Sequence, residues 1–332
     1  NIKDNGNAVV EGKRTNIPHL TLTWDEISQN MNLDKNKLKN KYNSIRKKIF
    51  NHRETRVHPQ KDDKILTDWN GLMISALARA SVIFNNKKYL SAAKKSADFI
   101  INNLLTENGK LLKRYRNGIS GIDGMIEDYA FFIWGLIELY QTDFDSKYIL
   151  IASQLSDYQI EHFWDFENNG FYFTSDISEQ LIVRSKEIYD GAIPSGNSVS
   201  AYNFIRLGRI LSRYDYEEIS YQLSTAFAPN LNKYGRGSTM FLQALNYIEG
   251  PSYEVIVVGN KKQSKNIISH IQQHVQPNKI IIFKDINNDE ELFSFLNNYS
   301  TDEDNNPLVY VCQNYSCKLP TSDLDKIDQL LK

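Results

Sequence analysis

The chain has 332 residues, 41% of them hydrophobic and 12% aromatic, enough apolar material for about two cores at ~150 residues per domain and too much for a disordered polypeptide. The 39 Lys and Arg stand against 40 Asp and Glu, a formal charge of -1 with no polybasic run, which argues against nucleic acid and anionic membrane as partners. The longest apolar stretch, residues 129–140, is about half of the ~20 residues that a membrane-spanning helix needs and is interrupted by Glu138, so no crossing is expected.

The chain opens at Asn1 on a polar segment, residues 1–12, without the charged-then-apolar pattern of a signal, and reads as the interior of a longer polypeptide. Residues 1–34 are a polar stub with one short apolar stretch at 20–24. From about Asp34 the hydrophobic period is helical.

Four segments carry broad apolar faces at steps of three and four. The first runs through Trp69, Leu72, Met73, Ala76, Leu77 and Ala80. The second runs through Tyr129, Phe132, Ile133, Leu136, Ile137 and Tyr140. Ala201, Phe204, Ile205, Gly208 and Leu211 make a third, and Phe241, Ala244, Leu245 and Ile248 a fourth. These are candidate inner helices. Residues 34–54, 87–105, 146–164 and 216–227 are more polar, with thinner stripes, and are candidate outer helices. Such alternation suits a two-layer ring of helical hairpins over residues 35–250. The unit is too long and irregular for a solenoid of ~34 to 47 residues. The extra length falls in outer-to-inner connections, where strand-like runs appear at 111–116, 171–174 and 181–184, and long loops on one rim point to a site there.

From about Pro251 the pattern becomes a strand at 255–258, a helix at 264–274, a strand at 279–283, a helix at 289–297 and a strand at 308–312. This is expected to be a small α/β lobe, residues 251–332, with a parallel sheet.

Three rim segments carry candidate chemistry: HPQKDDKILTDWNG, GMIEDYAF and RSKEIYDGAIPSGNS. Asp68, Glu127, Asp128 and Asp190, with Asp62 and Asp63, can converge so that a protonated and an ionised carboxyl divide acid and base roles on a sugar. The structural alternative is that Asp68, Ser195 and Asn197 are ordinary helix caps. Trp69, Tyr115, Tyr129 and Tyr189 can stack on a pyranose face, or pack in the core. Arg184 and Lys186 can bind a carboxylate or phosphate, or pair with Glu187 and Asp190. His52 and His58 lie nearest the rim, but no His-Glu-x-x-His or comparable spacing exists, and YGRGS holds only Gly-x-Gly, so neither a metal nor another cofactor is expected. Cys312 and Cys317, with four residues between them, miss the Cys-x-x-Cys spacing and are too few for a disulfide framework. They are expected as free thiols, in a reducing compartment such as the cytoplasm.

The segments RVHPQKDDKILTDWNGLMISALARA, IEDYAFFIWGLIELY, GFYFTSDISEQLIVRSKEIYDGAIPSGNSVSAYNFIRL and YVCQNYSCKLP, in that order, resemble the C-terminal part of the YyaL / spermatogenesis-associated thioredoxin-like family, from about residue 11 to about residue 320. The resemblance implies a mainly α fold: a partial (α/α)6 toroid of helical hairpins, similar to N-acylglucosamine 2-epimerases and six-hairpin glycosidases, with β-hairpin loop insertions and a small α/β lobe after it. It further implies that at most four of six hairpins are present and that a thioredoxin-like domain precedes them in the full-length chain. The family's rim positions map onto Asp62, Asp63 and Lys64, onto Asp68, Trp69 and Asn70, onto Glu127, Asp128 and Tyr129, and onto Arg184, Lys186, Asp190, Ser195, Gly196 and Asn197. One departure is that His58 precedes Pro59 and Gln60 follows it, where family members place a His after the proline.

The leading expectation is an intracellular carbohydrate-active enzyme, a glycosidase or an epimerase, with Asp68, Glu127, Asp128 and Asp190 catalytic and its funnel at the inner-helix N-termini. Their positive field favours an anionic or phosphorylated sugar. The alternatives are a non-catalytic sugar- or protein-binding module serving the thioredoxin-like domain, and a scaffold in which every rim residue is a cap.

Overall fold

The computed structural model describes residues 1–179, 182–288, 291–313 and 315–332, and the chain divides into two compact units, Asn1–Asp62 and Asp63–Lys332. In the first, strands β1 (Ala8–Val10) and β2 (Lys13–Thr15) pair antiparallel around Glu11 and Gly12, both at positive φ (49° and 76°), the backbone that a two-residue hairpin turn requires. Helix α1 (Trp24–Met31) opens on a capping box formed by Thr23 and Glu26. Helix α2 (Lys35–Glu54), capped by Asp34, occupies the expected segment and buries only Leu38.

The second unit begins with a short strand, β3 (Ile65–Leu66), that feeds directly into α3 (Thr67–Ile83). There follow α4 (Lys87–Asn103), the hairpin of β4 (Leu112–Arg116) and β5 (Ile119–Asp123), then α5 (Ile126–Asp143), α6 (Ser146–Phe163), α7 (Gly196–Leu211), α8 (Tyr214–Tyr234) and α9 (Thr239–Glu249). The four richly apolar segments are α3, α5, α7 and α9, and they stand side by side in chain order. Helices α4, α6 and α8 each fold back on the inner helix before them. Every residue of α7 is buried, whereas α4 turns only Ala93, Ala97 and Ile100 fully inward. The fold class is the expected one, mainly α, with hairpins in two layers and a β-hairpin inserted between an outer and an inner helix.

Glycine sets the closest approach in this row. A Cβ on Gly71 would stand 2.5 Å from the carbonyl carbon of Phe131, and one on Gly135 2.9 Å from the carbonyl oxygen of Gly71, so α3 and α5 pack backbone to backbone. Asn203 on α7 donates from Nδ2 to Ala130 O at 2.7 Å and ties the next pair together.

Two of the three expected strand runs in the connections are not strands. Residues 171–174 contribute one bridge, Trp164 with Phe171. The Asn197 carboxamide occupies both backbone groups of Phe171 (Phe171 N–H to Oδ1, 2.8 Å; Nδ2 to Phe171 O, 2.9 Å), and Phe173 N–H donates to Ser185 O. Of the run 181–184, Leu181 lies outside the described residues, and residues 182–184 are irregular. The run 111–116 does form β4, paired antiparallel with both β3 and β5.

The lobe comprises β6 (Tyr253–Gly259), α10 (Lys261–Gln273), β7 (Lys279–Asp285), β8 (Leu308–Gln313), β9 (Ser316–Cys317) and α11 (Leu324–Leu330). Its sheet, in the order β7-β6-β8-β9, is mixed: β6 and β7 are parallel, but β8 runs antiparallel to β6, which corrects the all-parallel expectation. The expected helix at 289–297 starts at Asp289, outside the described residues, and Glu291–Leu296 form a 3₁₀ helix. Lys284 near the end of β7 and Leu308 at the start of β8 both lie opposite Val258, so the chain re-enters the sheet from the end at which it left.

The β-branched strands are buried on both faces, which explains their continuous apolar runs. Val255, Val257, Ile281 and Phe283 belong to one core with α10 and α11, and Ile256, Val258, Ile280 and Ile282 to the core of the hairpins. Gln141 on α5 joins the two layers by accepting from Ile281 N–H and donating to Ile281 O, both at 2.8 Å. Cys312 and Cys317 correct the free-thiol expectation. They face each other across β8 and β9 and form a disulfide. Among the described residues no helix is long and apolar enough to cross a membrane.

Candidate functional site

Asp68 is the second residue of α3 and Asp128 the third of α5, and the close crossing of these helices brings their N-termini together. Asp128 Oδ2 accepts the Met125 N–H at 2.8 Å and so closes its own helix. Its Oδ1 accepts the Asp68 N–H at 3.1 Å and so closes the neighbouring one. Lys113 reaches in from β4, with Nζ 3.1 Å from Asp68 Oδ2 and 3.4 Å from Asp128 Oδ2. Asp128 is fully buried and Asp68 nearly so.

Burial pushes Asp128 up to about 6, against the pull of Lys113 and with a further push from Asp68. Half-buried Glu127 is pushed up to about 7, first by burial and then by the negative charges of Asp128 and Glu187. Lys113 is raised: burial alone would lower it, but the two aspartates outweigh that cost. The rim of α3 and α5 therefore holds three carboxyls and one ammonium.

The other rim residues join this row mainly through the backbone. Gly196, at the start of α7, lies against Ile126, where a Cβ would meet the Ile126 side chain at 2.5 Å. Asp190 accepts the Ser195 N–H at 2.9 Å and the Met240 N–H at 2.7 Å and so links the starts of α7 and α9. Ser195 caps α7, accepting from Ser198 N–H, and Asn197 straps residues 171 and 187, donating from Nδ2 to Glu187 O at 2.9 Å. Arg184 lies over the Tyr172 ring at 4.1 Å and donates to Thr174 O, and Lys186 donates to Asp165 Oδ2 at 2.7 Å.

Asn70 donates to Leu66 O and accepts from Ser96. Tyr129 is buried, its hydroxyl accepting Leu111 N–H at 2.9 Å. Trp69 and Tyr189 expose 62% and 66% of their surfaces and are the aromatics open to a ligand. Asp63 pairs with Arg116 at 2.7 Å, Lys64 leads into β3, and Asp62 ends the N-terminal unit. The structure thus gathers Asp68, Glu127 and Asp128 and leaves Asp190 one helix further along the row.

Sequence reasoning missed Lys113, and named Glu187 as a partner for Arg184 and Lys186 rather than as a charge beside Glu127. Lys113 stands within the strand run at 111–116, but which of its three basic residues turns toward Asp68 depends on the β3–β4 register, in which Leu66 faces Arg114.

No protein-family model matches the chain. The chain is 29% identical to spermatogenesis-associated protein 20 of Homo sapiens over 314 residues, covering 90% of this chain and 40% of that protein. It is 28% identical to a Caenorhabditis elegans protein over 346 residues, 99% of this chain and 47% of that protein. It therefore spans less than half the length of these relatives, and the first of them carries the name of the family that its motifs resemble. Among solved structures, it is similar to cellobiose 2-epimerase from Bacillus thermoamylovorans (TM-score 0.44, 16% identity, 51% of this chain and 46% of that one). It is also similar to a family 76 α-mannanase from Bacteroides thetaiotaomicron (TM-score 0.47, 14% identity, 65% and 59%).

Proposed function

We propose that the rim of α3 and α5 is the acid–base centre of a carbohydrate-active protein, in which Glu127 delivers a proton and the lysine-clamped aspartates carry the negative charge. The observation that carries this reading is geometric: Asp68 and Asp128 share the Lys113 ammonium at 3.1 and 3.4 Å, and Glu127, which burial pushes up to about 7, precedes Asp128 at the start of α5. Two carboxyls in different states are what the cleavage of a glycosidic bond uses. One protonates the leaving oxygen, while the other stabilises positive charge on the ring or takes a proton from water.

Both aspartates share one ammonium, with Lys113 Nζ 3.1 Å from Asp68 Oδ2 and 3.4 Å from Asp128 Oδ2. Glu127 lies on the same helix turn as Asp128, and exposed Trp69 offers a face for the sugar ring. In this reading Asp190, Ser195 and Asn197 hold the row of helix starts in place. The thioredoxin-like domain that the family resemblance implies is a partner on the longer chain.

A second reading, a non-catalytic scaffold, draws on a specific observation: both oxygens of Asp128 and of Asp190 already accept backbone amides. The test is turnover by the intact protein on aryl glycosides and, by proton exchange at C2 in heavy water, on reducing sugars, with Glu127→Gln and Asp68→Asn as variants. The catalytic reading expects a fall of ~10² or more in kcat/KM with the melting temperature not lowered for Glu127→Gln. Absence of turnover in the wild type, together with lower melting temperatures in both variants, would support the scaffold.

A further inference from the structure

The inner helices also end on a cavity, at the opposite pole from the acidic rim. It has a volume of about 540 Å³, within the ~300–1,000 Å³ of small-molecule sites, and lies among the C-terminal parts of α3 and α5, the middle of α7 and the turn from α10 to β7. Three helix C-termini would by themselves favour a cation. Their carbonyls, however, are already engaged. Lys279 Nζ donates to Ile271 O and, at 2.8 Å, to His274 O, and Gln272 Nε2 donates to Gln141 O at 2.7 Å and Thr142 O at 3.3 Å.

The carboxylate on the wall, Glu138, is engaged as well, accepting from Arg206 Nη1 at 2.8 Å and Trp134 Nε1 at 3.1 Å. What remains is positive charge and unengaged polar nitrogen. Arg79 lines the cavity with no partner among the described residues, and His274 Nδ1 is buried without one. Val82, Ile83 and Val275 add an apolar wall, beside a Tyr202 ring that Arg206 covers at 4.8 Å.

We infer that this cavity binds a small organic anion, a phosphate or carboxylate carried on a body of about sugar-ring size. The acid group is met by Arg79 and His274, and the body lies against the apolar wall. The inference does not depend on the rim being catalytic, since the two sites share no residue.

Isothermal titration of the intact protein with glucose 6-phosphate, glucuronate and glucose tests it. The expected result is saturable binding of at least one of the two anions and none of glucose. Arg79→Glu, at an exposed position without a partner, should weaken the anion about tenfold or more, and His274→Ala should weaken it too. Asp68→Asn, at the far pole, should leave it unchanged. Binding that ignores Arg79→Glu, binding lost in Asp68→Asn, equal binding of glucose, or no saturable binding of either anion to a cooperatively melting protein would each overturn the inference.

Discussion

Replacing Gly71 with alanine sets two principles against each other. In an isolated helix the change is favourable by ~1 kcal/mol, because glycine is the poorer helix former. At the crossing of α3 and α5 the sign reverses. The new Cβ would stand 2.5 Å from Phe131 C and 2.6 Å from both Phe131 O and Phe132 N, about 1 Å inside normal carbon contact. All three atoms are backbone of a buried helix and cannot rotate away, so the helices must separate. Overpacking of this kind costs ~1 to 3 kcal/mol, and a rigid backbone neighbour places it at the upper end, leaving a net loss of about 2 kcal/mol after the propensity gain. At ~2 to 4 °C per kcal/mol the melting temperature should fall by about 4 to 8 °C.

The same separation stretches the 3.1 Å bond from Asp68 N–H to Asp128 and loosens the Lys113 clamp, since Gly71 and Phe131 each follow their aspartate by one turn. Turnover should therefore fall by more than the unfolded fraction accounts for. Gly235→Ala is the control: its Cβ would meet open space at a helical φ of -57° and should be neutral or slightly stabilising. Calorimetry and urea titration of both variants check the reasoning. A Gly71→Ala protein as stable as the wild type would refute the close-packed crossing.

Because Glu127 and Asp128 titrate at about 7 and about 6, above ordinary carboxyls, the native state binds more protons than the unfolded chain between about pH 4 and about pH 7. Stability from these groups is full below that window and is lost as pH rises through it, at up to ~1.4 kcal/mol per pH unit per proton. The slope of urea stability against pH should be shallower in Glu127→Gln, and equal slopes would show that the carboxyl is not held protonated. Lys113→Met removes the counter-charge of two buried aspartates and should cost about 3 kcal/mol near pH 8 and less near pH 5, where Asp128 protonates; a pH-independent loss in denaturation would contradict this. Asp190→Ala strips acceptors from the starts of α7 and α9 and should cost about 2 kcal/mol in thermal melts, and a neutral result would mean that those amides find other partners.

The inner helices were legible in the sequence because each carries an apolar face too broad for a helix with one covered side. The stripe through Phe132, Leu136 and Tyr140 belongs to a helix buried almost all round, as the pattern requires. Of the expected caps Asp68, Ser195 and Asn197, Ser195 is one, accepting the Ser198 N–H, whereas Asp68 and Asn197 lie inside α3 and α7, and the α3 cap position, Leu66, has no side-chain acceptor to offer. What lay outside local pattern was partnership at a distance. The aromatic run at 171–174 looked like a strand, but its backbone bonds to the side chain of Asn197, 26 positions further on. The sign of β8 depended on the end at which a long connection returns to the sheet, which no local pattern encodes. The spacing of Cys312 and Cys317 failed a helical redox pattern yet fits the two arms of a tight hairpin. Lys113 was hidden for the same reason: its partners are 45 and 15 residues away, and only strand register turns it toward them.

Gln141 has a consequence for what the molecule refuses to bind. Strand β7 lies at the edge of its sheet, and an edge with vacant amides and carbonyls is a template onto which a strand of another chain can add. The carboxamide of Gln141 offers Ile281 one donor and one acceptor, as a neighbouring strand would, and Tyr140 presents its hydroxyl to the Phe283 N–H two residues on. A helix of the ring thus plays the part of the missing strand, and the hairpins shield the lobe against fibre-like growth as well as supplying its core.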